Sequence, residues 1–142
     1  MEHTGSGPDP LDIVGVDTDN VSTPSNDGSA GSSLYEVPIR LNRRPTPREA
    51  DLIVRHWDQP SQWTSTHRPG IASVSGDRVV LSGTTIEEVR RYHAETLRLA
   101  VDATNADEPR LKAQDAERRR VEDDRAAAHR RSVVETAAEI TF

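Results

Sequence analysis

Apolar residues recur along this chain at two spacings, and the change from one to the other marks its elements. Between positions 34 and 41 the order is Leu-Tyr-Glu-Val-Pro-Ile-Arg-Leu. Tyr35, Val37, Ile39 and Leu41 fall on one side and Glu36, Pro38 and Arg40 on the other, which predicts a half-buried strand. Pro38 has no N–H for a ladder, so the strand is expected at a sheet edge or with a bulge.

The spacing then becomes helical. Thr46-Pro47-Arg48-Glu49 combines an N-cap hydroxyl, a proline at the first helical position and a glutamate at the third. This is a capping box, and it predicts a helix over 47–57 with Ala50, Ile53, Val54 and Trp57 on its inner face. Polar and turn residues fill 58–70 and predict a loop. Strands are expected over 71–75 and 78–82, joined through Gly76-Asp77, whose leading glycine suits a type II′ turn. Thr84-Thr85-Ile86-Glu87-Glu88 offers two overlapping capping boxes for a second helix over 85–105. Its inward stripe is Ile86, Val89, His93, Leu97, Ala100, Val101 and Thr104. Pro109 predicts an end or kink near Asn105-Ala106-Asp107.

Beyond Pro109, Leu111 and Val121 are the only large apolar residues before Val133. Arg118, Arg119 and Arg120 lie within helical reach of Asp115, Glu117, Glu122, Asp123 and Asp124. Such pairs support a solvated helix by about 0.2–0.5 kcal/mol each. The fold class expected is α+β: a small sheet in strand–helix–strand–strand–helix order, with an extended charged C-terminal helix and a disordered acidic N-terminal tail.

Charge separates the same three parts. Residues 1–33 hold six carboxylates and no Lys or Arg, whereas the later segments are close to balanced. The divisions are therefore a tail over 1–33, a core over 34–105 and a helical extension over 106–142. Gly, Ser, Pro, Asp, Asn and Thr dominate the tail, a composition too polar to fold alone. Inside it lies one apolar island, Leu11-Asp12-Ile13-Val14-Gly15-Val16. An island of this kind can add a strand to a partner's sheet, and Leu11, Ile13 and Val14 are taken as partner-binding residues.

The chain has no cysteine, so disulfides and thiolate metal sites are excluded. His3, His56, His67, His93 and His129 include no i, i+4 pair, and no metal or other cofactor is expected. His56, Asp58 and His67 could converge only across the 58–70 loop, and His93 reads as a core imidazole bonded to a neighbour. No nucleophile elbow or phosphate loop is present. Seventeen of the 18 basic residues are Arg, as a GC-rich bacterial or phage genome would give. Neither a secretory signal nor a membrane-spanning run occurs, which points to the cytoplasm.

Both tryptophans fall within seven residues, and Trp and Arg are favoured interface anchors. Trp63, His67 and Arg68 are therefore taken as further partner-binding residues, with Trp57 assigned to the core. These features predict a non-catalytic interaction protein, an adaptor or assembly component, which binds a protein partner or self-associates through its C-terminal helix. The alternative is a nucleic-acid-associated regulator. It would use an arginine patch of Arg40, Arg43, Arg44, Arg48 and Arg55, with the acidic tail competing for the patch.

Overall fold

The structure is a computed structural model that describes residues 9–142. Its class is α+β. A four-stranded sheet has the order β1-β2-β4-β3, formed by Ile13–Val16 (β1), Tyr35–Leu41 (β2), Ala72–Ser75 (β3) and Arg78–Thr84 (β4). Every neighbouring pair is antiparallel. Helix α1, Pro47–Asp58, lies between β2 and β3 in the chain. After β4 come α2 (Ile86–Glu88), a π-helical turn (Val89–His93) and α3 (Ala94–Ala138). The strand–helix–strand–strand–helix order is present, with one strand added in front.

That strand comes from the apolar island. Residues 1–8 of the predicted disordered tail lie outside the described residues. From Leu11 to Ser22 the segment is engaged with the sheet, contrary to its composition, whereas 23–33 are mostly exposed. Leu11 is buried, and β1 pairs with β2 along the edge of the sheet. The strand addition anticipated for a partner takes place within the chain, because β2 would otherwise leave an unpaired edge that β1 can cover.

The same pairing explains Pro38, which sits in a central strand rather than at an edge. The Pro38 carbonyl accepts from the Asp17 N–H at 2.9 Å, so this residue's hydrogen-bonding side faces β1 rather than β4. β1 ends at Val16, and the chain then leaves the sheet through the 3-10 turn Thr18–Asn20. The missing donor therefore falls at the end of a ladder. At the hairpin between β3 and β4, Ser75 pairs with Arg78 and Gly76 has φ +61°. Asp77 has no positive φ, as a type II′ turn requires.

The core lies on one face of the sheet. Val37, Ile39 and Leu41 of β2, Val79 and Leu81 of β4, and Ala72 of β3 meet Ile53 and Trp57 of α1. Leu97 and Val101 of α3 join them, and Leu11 completes the cluster. The buried side of α1 is Glu49, Leu52, Ile53 and Trp57, rotated from the Ala50–Val54 side read from spacing. Leu52 has more surface to bury than Ala50, and Glu49 can be buried because its carboxylate is satisfied. Thr46 Oγ1 accepts the Glu49 N–H, and the Glu49 carboxylate accepts the Thr46 N–H at 2.8 Å and both terminal nitrogens of Arg43.

On the second helical run Val89, His93, Leu97, Ala100, Val101 and Thr104 are buried as expected. Ile86 is not, at 43% exposure. The π turn that follows is wider than an α turn, and it rotates the residue before it off the stripe.

Pro109 does not end the helix; α3 continues through it to Ala138. The chain nevertheless divides by compactness into a unit ending at Ala106 and a second from Asp107 to Phe142. Within the second unit the helix carries the ion pairs Asp107–Arg110, Asp115–Arg118, Glu117–Arg120 and Arg120–Asp124. Every residue from 116 to 142 is exposed. Among the described residues no helix is long and apolar enough to cross a membrane.

Candidate functional site

The residues with the most unusual chemistry gather where the 59–70 loop closes over the second helical run. Trp57, at the end of α1, is fully buried. Its indole Nε1–H donates to the Arg68 carbonyl at 3.0 Å, and its own carbonyl meets His67 Nε2 at 2.8 Å. A carbonyl can only accept, so Nε2 is the donor in this bond. The His67 ring lies 4.6 Å from Trp57 and 5.1 Å from Trp63, the latter edge-on. His93 packs 5.3 Å from Trp57 and 6.5 Å from His67, in both cases edge-to-face.

Arg68 fastens the loop to the helix. Its two terminal nitrogens bond the two Glu88 oxygens at 2.7 and 2.9 Å, and one of them reaches the Gly83 carbonyl at 3.3 Å. Thr84 Oγ1 donates to Glu88 at 3.0 Å. The Glu88 carboxyl is held below its ordinary range, first by the Arg68 hydrogen bonds, against burial, with help from Thr84. Gly70 N–H donates to Asp58 at 2.8 Å and pins the far end of the loop.

His93 departs from the sequence expectation. It is buried as predicted, yet neither Nδ1 nor Nε2 has a hydrogen-bond partner in the protein. Burial is the first cause that pushes its pKa below the ordinary value; Glu88 opposes this, while Arg68 and His67 add to it. The imidazole is therefore neutral near pH 7. Among the described residues, the other buried side-chain atoms without a partner are Thr64 Oγ1, Thr66 Oγ1 and His67 Nδ1, all in this loop. An orphaned buried polar atom costs about 1–3 kcal/mol, so their concentration in one place calls for an explanation.

The remaining predicted site residues are dispersed. Leu11 belongs to the core and Ile13 packs against it, which removes both as free contacts; Val14 is 64% exposed. Trp63 is 61% exposed, whereas His67 and Arg68 are half-buried and bonded within the chain. In the arginine patch, Arg40 meets Asp17 at 3.3 Å and Arg43 grips Glu49. Arg44 and Arg55 are exposed and Arg48 is half-buried.

Asp17, from the acidic segment, is buried between Arg40 and Arg78, and it accepts from Asn20 Nδ2 at 2.8 Å. Its carboxyl is held low by the Asn20 bond first, then by Arg78 and Arg40 against burial. His56, Asp58 and His67 do not form a metal site, and no group of three or more His, Asp or Glu suited to an ion occurs among the described residues.

Sequence reasoning missed the Arg68–Glu88 clamp, the Asp17 cluster and the lack of partners at His93. The clamp joins residues 20 apart and Asp17 lies 61 positions from Arg78, so neither leaves a local signal. No known protein family, curated protein or solved structure matches this chain.

Proposed function

We propose that this chain is a non-catalytic interaction protein, an adaptor or assembly component of the bacterial or phage cytoplasm, which makes its main contact through the C-terminal helix. One observation carries the reading. The helix continues to Ala138 although its residues from 116 onward bury nothing. Helices in proteins owe most of their stability to packing of an amphipathic face, and short-range ion pairs contribute far less. Val133 and Val134 in the last turns of this helix, and Ile140 and Phe142 just beyond it, are each more than half exposed. A partner that covers them, whether another protein or a second copy, supplies the missing packing. Trp63 offers a separate exposed anchor on the other unit.

The nucleic-acid reading has less support, because Arg40 and Arg43 are already bound to acids of the same chain. Capture from a nuclease-treated bacterial lysate tests the choice. The full-length protein is expected to retain a defined protein partner, or a higher-order mass of its own by light scattering. The double variant Val133→Asp, Val134→Asp is expected to lose it. Recovery that collapses with nuclease, or that is unchanged in the double variant, would overturn the proposal.

A further inference from the structure

The clustered orphan atoms and the Arg68–Glu88 clamp share one loop, and their chemistry opposes each other. Closing the loop forms the Trp57–Arg68, His67–Trp57, Arg68–Glu88 and Gly70–Asp58 bonds. It also strips water from Thr64, Thr66, His67 Nδ1 and both nitrogens of His93. Opening reverses both effects, so the closed state is poised rather than deep.

We infer that His93 is a proton-operated latch on the 59–70 loop, in which its protonation transfers Glu88 from Arg68 to His93 and releases the loop. The inference goes beyond the proposed helix contact and does not depend on it.

The geometry supplies the steps. A proton added to His93 makes both ring nitrogens donors, inside a site that offers them no acceptor. A buried cation without a partner is strongly disfavoured. The charged and titratable groups facing it are Glu88 from its own helical run and Arg68 and His67 from the loop. On the neighbouring elements, α1 presents the neutral Trp57 ring and β4 the Thr84 hydroxyl that bonds Glu88. Glu88 is thus the one carboxylate among these groups.

Glu88 and His93 are five residues apart, on nearly opposite sides of an ordinary α-helix. The π turn changes this. Its i→i+5 bonding, seen in the Ala94 N–H donating to the Val89 carbonyl, brings residues five apart much closer in angle. A π turn costs helix geometry and is frequent at functional sites; here it brings the carboxylate round toward the imidazole, whose charge it influences. Once Glu88 turns toward His93, Arg68 loses its bidentate partner. The loop, no longer clamped, then leaves with Trp63.

Trp57 and Trp63 are the only tryptophans of the chain, so indole emission reports on this site alone. The test follows emission of the full-length protein from pH 8 to pH 5, with far-UV circular dichroism in parallel. The expected result is a red shift with its midpoint below pH 6.5 while the dichroism is unchanged. His93→Gln should abolish the shift. Glu88→Gln should give the red-shifted emission already at pH 8. Should His93→Gln fail to fold, NMR titration of the wild-type His93 ring takes its place, and its midpoint should coincide with that of the emission. Flat emission down to pH 5, an unchanged transition in His93→Gln, a His93 titration that does not track the emission, or a shift that coincides with loss of dichroism would each overturn the latch.

Discussion

Asn105 holds the backbone of Leu11 from both sides. Its Oδ1 accepts the Leu11 N–H and its Nδ2 donates to the Leu11 carbonyl, each at 2.9 Å across 94 positions of sequence. A side-chain amide carries a donor and an acceptor side by side, so it can serve both backbone groups of a single residue. The contact anchors the strand β1, whose composition gives it little reason to fold alone.

Loss of this anchor should release β1. Leu11→Ala removes a core side chain and is expected to cost about 2–5 kcal/mol. Asn105→Ala leaves two partly buried backbone groups without partners, at about 1–3 kcal/mol. Denaturant unfolding gives both values. Hydrogen exchange should show earlier loss of protection over Ile13–Val16 than over Arg78–Thr84, and equal loss in both strands would refute the anchoring role.

Glu49 serves the helix cap and the Arg43 ion pair with one carboxylate. Thr46→Ala should cost about 1 kcal/mol, as ordinary N-caps do. Glu49→Ala should cost more, up to about 3–5 kcal/mol, because the cap and the carboxylate bonded by Arg43 are lost together. A double-mutant cycle with Arg43→Ala isolates the pair, and a coupling energy near zero would show that Arg43 is merely adjacent.

Stability should fall in two stages on acidification. The folded-state pKa of His93 lies below its ordinary 6.5, so below that pH the unfolded chain takes up the proton first. The contribution from neutral His93 is complete above pH 6.5 and declines as pH drops toward the folded-state pKa. Glu49 and Glu88 are depressed below 4.5, and Asp17 below 3.8. Their contribution is present above those values and is lost as pH falls through the lower range. Thermal melts of His93→Gln should lack the upper stage and keep the lower one. An upper stage that survives the substitution would assign it elsewhere.

The capping box at Thr46, the Gly76-Asp77 turn and the alternation from Tyr35 to Leu41 were legible because each is written within a few residues. Trp57 was legible as core for the same reason: helical spacing ties it to Ile53. The course of α3 through Pro109 was not, since a proline's local cost says only that a helix is disfavoured there.

What the sequence by itself determined is thus the α+β class and the strand–helix–strand–strand–helix order from Tyr35 onward, which follow from periodicity and from caps that bond within four residues. Only the tertiary structure decided what Leu11, Asp17 and Arg68 do. A polar, charge-rich segment carries no periodic signal, and its bonds are made to residues tens of positions away. His93 shows the limit most clearly. Periodicity places it inside, but whether an imidazole finds a partner there depends on the loop that closes above it and on the π turn that aims it.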